Sequence, residues 1–251
     1  MTIFSFRSVC HAICCAAFLL LSGCGKKDPP LIVLTTGTNA PFSIADKNNN
    51  LSGFDIDLIR LVAGSIGREI EIKCVPFDEI LTQVQTRKGD IAIGAISITD
   101  ERMKSVDFSP PYHEGGFAMV MLETTSGELK DLSDKTVGVG EGTWQEGVVK
   151  AFCISTPNLF VRSVKSSQFD DIVSKIRSGE LAAFVLDADS AKYLVAHTQG
   201  FKVVPLEIGI LGMGIVTAKG SHHTKIVSDA LAKNSEQIVS LKAKWFSAAA
   251  K

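Results

Sequence analysis

From Ile32 to Trp245 the chain alternates two kinds of apolar pattern, and this alternation constrains its fold more than any other feature. Short unbroken runs such as Ile32-Val33-Leu34 read as buried strands, whereas stretches with apolar residues every three or four positions read as amphipathic helices. Strand and helix following one another from end to end is the pattern of an α/β protein with a largely parallel sheet. The helix opening at Gly53-Phe54-Asp55 puts Ile59, Val62, Ala63 and Ile66 on one face, with Asp55 placed to cap its amino terminus. A second helix, carrying Phe77, Ile80, Leu81 and Val84, stops at Gly89, and Asp90 to Ser97 follows as a buried strand. A short helix begins near Thr99. Further strands are expected near residues 117–122, 136–139, 159–164, 182–186 and 210–216, and helices near 144–152, 168–178, 225–234 and 236–245.

At 251 residues the length suits one large domain or two modest ones. With 45% hydrophobic and 21% charged residues the chain is globular, not disordered. Its 26 basic residues nearly balance 27 acidic ones, for a formal charge of −1, which excludes a nucleic-acid binder working by bulk charge.

Cys10, Cys14, Cys15 and Cys24 crowd the first 24 residues, leaving only Cys74 and Cys153 beyond them. The crowding belongs to a leader and not to a disulfide framework. Ala12 to Leu21 is uncharged, follows Arg7, and has the length of a secretory apolar region, too short to span a bilayer. Leu21-Ser22-Gly23-Cys24 then resembles the bacterial lipoprotein signal, which implies cleavage before Cys24 and acylation of that residue. Residues 25–30, with Pro29 and Pro30, read as a tether between the lipid anchor and a fold starting near Leu31. Export places Cys74 and Cys153 in an oxidising compartment, yet the organisation below puts them in different lobes as free thiols. No zinc spacing is present, and His222-His223 reads as exposed loop, so no metal or other cofactor is expected.

Two segments look like copies of each other. Phe77-Asp78-Glu79-Ile80 opens a helix ending at Gly89 whose strand runs to Ser97; Phe169-Asp170-Asp171-Ile172 opens a helix ending at Gly179 whose strand runs to Asp187. In both, eight positions separate the glycine from the polar terminus. Helix, glycine stop and strand is a common unit, but here Ser97 and Asp187 each fall at the carboxyl end of a strand, where open α/β sheets bind ligands. Two such ends facing each other make a cleft.

The cleft offers one cation and one anion. Ser97 leads directly into Ile98-Thr99-Asp100-Glu101-Arg102, so a hydroxyl, free helix amides and Arg102 meet at an anion site. Asp187 suits an ammonium. Gly140-Glu141-Gly142-Thr143-Trp144-Gln145 is a glycine-flanked turn into a helix, a second set of amides for an anion. Together they describe a site for a zwitterion.

The string Pro41-Phe42, Leu51-Ser52-Gly53-Phe54-Asp55-Ile56-Asp57-Leu58, Gly89-Asp90, Ser97-Ile98-Thr99-Asp100-Glu101-Arg102 and Phe108-Ser109-Pro110-Pro111-Tyr112 resembles the bacterial extracellular solute-binding proteins of family 3, the polar amino acid receptors of ABC transporters. The resemblance spans the chain after the leader, in order. It implies a two-lobed clamshell of the type II periplasmic-binding-protein fold. Lobe one takes residues 31–115 plus 214–251 and lobe two 116–213, joined by crossover strands near His113–Phe117 and Gly212–Ile215. It further implies that Arg102 binds the ligand carboxylate with Ser97 and the amides of Gly142 and Thr143, that Asp187 takes the α-ammonium, and that Phe77 packs on the ligand. Thr36, Asn39, Ala95 and Trp144 complete the implied ligand-binding set. The implied partners are a polar amino acid, an inner-membrane ABC permease and the membrane through Cys24, with a monomeric receptor on the periplasmic side or the cell surface.

Asn39 stands where the family often has an aromatic lid, Thr36 where it often has an acid, and Trp144 where small or polar residues are common. Without an acid at Thr36 a buried cationic side chain lacks its partner unless Glu141 serves, which favours a neutral polar ligand such as glutamine. An enzyme on the same scaffold, a prephenate or arogenate dehydratase, needs a general acid or base, for which His113, Glu114 and Glu141 are the candidates. An intact head-group clamp without a catalytic pair favours the receptor. A sensing domain of a larger receptor lacks an attached kinase, channel or span in this sequence.

Overall fold

The apolar runs condense into two five-stranded sheets, each covered by helices on both faces. The computed structural model describes residues 28–125, 127–156, 158–165 and 169–247, so the leader, Cys24 and most of the tether lie outside the described residues. In chain order come β1 (Leu31–Thr35), a meander of β2 (Thr38–Asn39), β3 (Ser43–Ala45) and β4 (Leu51–Ser52), α1 (Phe54–Ser65), β5 (Ile70–Cys74) and α2 (Phe77–Gln85). Then follow β6 (Ile91–Ala92), the one-turn α3 (Asp100–Met103), β7 (Val106–Phe108) and the long β8 (His113–Leu122). The middle of the chain adds β9 (Thr136–Gly140), α4 (Trp144–Ser155), β10 (Phe160–Val164), α5 (Phe169–Arg177), β11 (Ala183–Asp187) and α6 (Ala188–Ala196). β12 (Phe201–Met213), β13 (Val216–Ala218), α7 (His223–Lys233) and α8 (Ser235–Phe246) close the fold.

The first sheet has the order β5-β1-β6-β13-β7 and the second β10-β9-β11-β8-β12. In each, three parallel strands are followed by antiparallel ones: β13 runs against β6 and β7, and β8 against β11 and β12. The sheets are therefore mixed, because the strands that cross between lobes return in the opposite direction. Phe54, Leu58 and Val62 of α1 bury with Val227 of α7 and Ile238 of α8 on one face of the first sheet, and Ile80 and Val84 of α2 on the other. In the second, Ile172 and Leu194 cover one face and Val149, with Leu129 and Leu132, the other. Each fully buried aliphatic side chain contributes about 1.5–3 kcal/mol, so each lobe carries its own core.

β8 and β12 form an antiparallel ribbon whose register breaks between Leu206 and Leu211. Ile98 N donates to Gly212 O, Tyr112 N to Met213 O and Gly214 N to Ile96 O, tying the ribbon to the first sheet. A Cβ at Gly214 would lie 2.9 Å from Phe108 Cδ1, so glycine is required there by close approach as well as by any rotation it absorbs.

Several local expectations differ from the structure. Asp55 does not cap α1: Gly53 is the cap, and Asp55, fully buried, accepts the Ala95 amide at 2.8 Å. The strand expected over Asp90–Ser97 pairs only at Ile91–Ala92, because Ala95 turns into the left-handed region (φ 52°) and Ser97 bridges to Met213 instead. The strand expected near 210–216 is divided, β12 ending at Met213 and β13 starting at Val216. His223 opens α7 half-buried and is not exposed loop, its ring 4.0 Å from that of His222. α6, β5 and the β2–β4 meander were not expected from the pattern.

Candidate functional site

The carboxyl ends of β1, β6, β9 and β11 meet across one interlobe cavity of about 590 Å³, part of it open to solvent. On the first lobe, Thr99 caps α3 by accepting the Arg102 amide at 3.2 Å, which fixes where the arginine side chain starts. Arg102 Nη1 then donates to Ser97 O at 2.8 Å, and its guanidinium carbon lies 5.7 Å from the centre of the Phe77 ring. Phe77 opens α2 and supplies a face for the cation. With five N–H donors, an arginine so anchored keeps others for a carboxylate. Burial lowers its pKa to about 10, against the pull of Asp187, and it stays charged at neutral pH.

On the second lobe, Asp187 ends β11 and is 7% exposed. Its Oδ1 accepts from Gln145 Nε2 at 3.1 Å and its Oδ2 from Asn39 Nδ2 at 3.3 Å. Burial pushes its carboxyl from 3.8 up to about 6, opposed by the Asn39 bond, while Asp189 adds to the rise. A buried carboxylate with lone pairs to spare is the complement of an ammonium.

The walls touch. Arg102 Nη2 donates to Gly142 O across the cleft at 3.1 Å. Gly142 has φ +75°, and a Cβ there would lie 3.0 Å from Asp78 Cα on α2, so only glycine lets the lobes approach this closely. Nearby, His113 Nε2 and Asp189 Oδ2 are 2.9 Å apart, the ring stacked on Phe246 at 4.6 Å.

Of the residues expected from the sequence, Thr36, Asn39, Phe77, Ala95, Ser97, Arg102, Thr143 and Asp187 line this cavity, as does Glu141. Trp144 does not: its ring packs on Phe117 at 4.9 Å. Gly142 lies outside the lining, and its amide, expected to meet an anion, donates to Glu146 Oε2 at 2.7 Å. Thr143 caps α4 by accepting the Glu146 amide, so the amide cradle is narrower than the glycine pattern implies. Sequence reasoning gave no role to Gln145, whose partner is 42 positions away, nor to Ser190. The one available signal was that Asp187 and Ser190 are three apart and so share a first helical turn. Among the described residues no group of three or more His, Cys, Asp or Glu side chains could hold a metal ion, and no helix is long and apolar enough to cross a membrane.

Two lobes with separate cores, a two-strand ribbon between them and a charged cavity at their junction define a clamshell binding protein of the type II periplasmic class. Residues 31–248 match the bacterial extracellular solute-binding proteins of family 3, and the chain belongs to that family. It is 31% identical to the arginine-binding extracellular protein ArtP of Bacillus subtilis, over 88% of this chain and 87% of that one. It is 30% identical to the L-cystine-binding protein TcyJ of Escherichia coli, over 89% and 85%. An ancestral arginine-binding protein solved with arginine superposes with a TM-score of 0.80 at 33% identity, covering 86% of this chain and 98% of that one.

Proposed function

We propose that the cleft captures the head group of a polar α-amino acid and delivers it to an ABC-transporter permease, Arg102 taking the carboxylate and Asp187 the ammonium. The observation that carries this reading is their placement on opposing walls of one cavity. Ser97 and Thr143 flank the carboxylate position, and Phe77 offers a flat apolar surface. The relatives named above bind arginine or cystine, which supports an amino acid ligand. Thr36 offers no carboxylate for a distal cation, so we place a neutral polar side chain such as that of glutamine first and arginine second, with Glu141 the acid available to it.

We assign residues 31–115 and 214–251 to lobe one and 116–213 to lobe two, the ribbon of β8 and β12 being the hinge. We also infer a lipid anchor at Cys24. Arg68 Nη2 donates to Pro29 O at 2.8 Å, so the fold is fixed from Pro29 onward, and the five residue steps back to Cys24 can span at most about 18 Å. The protein acts as a monomeric receptor on the periplasmic side of a bacterial membrane or at the cell surface. The dehydratase reading finds less support, since His113 pairs with Asp189, is enclosed by Phe42, Phe54 and Phe246, and lies outside the cavity lining with Glu114, which leaves Glu141 as the single acid–base candidate in the cavity, without a partner for it among those three.

Thermal melts against the twenty amino acids and cystine test the proposal. A ligand at 100 times its Kd stabilises by about 2.7 kcal/mol, a readily visible shift. No shift with any of them overturns it.

A further inference from the structure

We propose that Asn39 is a latch across the cleft, held by Ser190, and that this pair helps set how firmly the lobes stay closed. Asn39 stands on β2, a two-residue strand of the first lobe's meander. Both ends of its amide reach the second lobe. Nδ2 donates to Asp187 Oδ2 at 3.3 Å, and Oδ1 accepts from Ser190 Oγ at 2.7 Å. A carboxylate only accepts, so the nitrogen must face Asp187, and the hydroxyl of Ser190 then donates to the oxygen. One side chain therefore joins two residues of the first turn of α6.

Ser190 is fully buried, and its hydroxyl finds its acceptor across the cleft. Separating the lobes breaks both bonds at once. His113 grips the same turn through Asp189, so three residues of one helical turn are held from the far side of the hinge. The shape of Asn39 matters as much as its polarity. A side chain that closed the cleft by covering the ligand would draw its contribution from the ligand's own surface. Asn39 draws it from protein groups, so its effect on closure depends little on which side chain the bound amino acid carries.

The ligand arm of the test rests on the cleft being an amino acid site; the scattering arm does not. In the full chain, Asn39→Ala, Ser190→Ala and the double variant are compared by small-angle scattering without amino acid and with saturating L-glutamine, L-arginine or L-cystine. Dissociation of whichever of these binds is followed by stopped flow through Trp144, which sits beside the cleft on Phe117. Circular dichroism melts confirm folding. Asn39→Ala removes both hydrogen bonds, one of them to a carboxylate, and should speed dissociation by at least about 10-fold, whereas Ser190→Ala removes only the neutral one and should speed it by about 5-fold. The double variant should fall short of the product, since the two bonds share one amide. Asn39→Asp, nearly isosteric, sets a second carboxylate against Asp187 and should open the lobes further than Asn39→Ala. If none of the three binds the parent, dissociation is followed with the amino acid that the melts identify; if the melts identify none, the head-group reading fails, and a larger radius of gyration in the variants still supports the latch. The latch is overturned if both single variants scatter like the parent and release ligand within twofold of it, or if their effects simply multiply.

Discussion

Replacing Gly142 by alanine separates what the lobe needs from what closure needs. The first cost is local. A φ of +75° is left-handed backbone, which an L side chain occupies at about 1–2 kcal/mol. That cost is present however the lobes are arranged, so it lowers the melting temperature without changing affinity. The second cost arises only when the lobes meet. The new Cβ would lie 3.0 Å from Asp78 Cα and 3.2 Å from Asp78 Cβ, on the opposite wall. Backbone at the start of α2 cannot rotate away, so the lobes must stop short, and overpacking of this kind costs about 1–3 kcal/mol. Because that term opposes only the closed form, it appears as affinity weakened by about 5- to 150-fold. Arg102 would lose part of its bond to Gly142 O in the same displacement. Titration calorimetry with the amino acid identified by melting, alongside melts without ligand, measures the two terms separately. An alanine variant that melts lower yet binds as tightly as the parent would show that closure does not bring Gly142 onto Asp78.

Arg102→Ala and Asp187→Ala should each weaken binding by about 2–5 kcal/mol, or 30-fold to several thousand-fold, while Arg68→Ala, which loses contacts at Pro29 and Asp28 away from the cleft, should cost little in affinity; equal calorimetric affinities for all three would place the site elsewhere. Because burial raises Asp187 to about 6, affinity should fall as pH drops below that value, by up to tenfold per unit, and Asp187→Asn should bind weakly with a flatter profile. The same shift means that the folded state favours the protonated form, so the contribution of Asp187 to stability declines as pH rises from about 4 to 6. Cys74, exposed at the end of β5, and the half-buried Cys153 in α4 are both free, so a thiol count on denatured, unreduced protein should find both, with Cys74 labelling faster in the native state. Cys24→Ser should release the protein from the membrane fraction or leave it unprocessed; normal cleavage with continued membrane attachment would refute the anchor.

The polar termini Ser97 and Asp187, and Arg102 one turn beyond Ser97, were legible because each depends on neighbours close in sequence. A cap such as Thr99, a helix start such as Phe77 and the glycine stop at Gly179 are short-range signals, whereas the helix expected to end at Gly89 stops at Gln85 with Arg87 in the left-handed region, and Gly89 is instead required by its close approach to Leu34. The helices α7 and α8 were readable from their apolar spacing for the same reason. Misreadings came where a distant group overrode a local preference. Asp55 has every local feature of a cap, yet the Ala95 amide, 40 positions away, draws it into the interior, where burial pushes its carboxyl up to about 7. The same bond turns Ala95 out of the strand that its apolar neighbours predict.

By itself the sequence determined the α/β alternation, the presence of two similar lobes and the charges brought to the cleft, since periodicity and capping act over a single turn or strand. Only the tertiary structure decided how those charges are arranged. It alone paired Gln145 and Asn39 with Asp187, turned Trp144 away onto Phe117, and spent the Gly142 amide on Glu146. It alone required glycine at position 142 because Asp78 arrives from the other lobe. The physical reason is that hydrogen-bond partners and steric limits in a cleft are set by how two separately folded bodies meet, and no periodicity within one segment carries that distance.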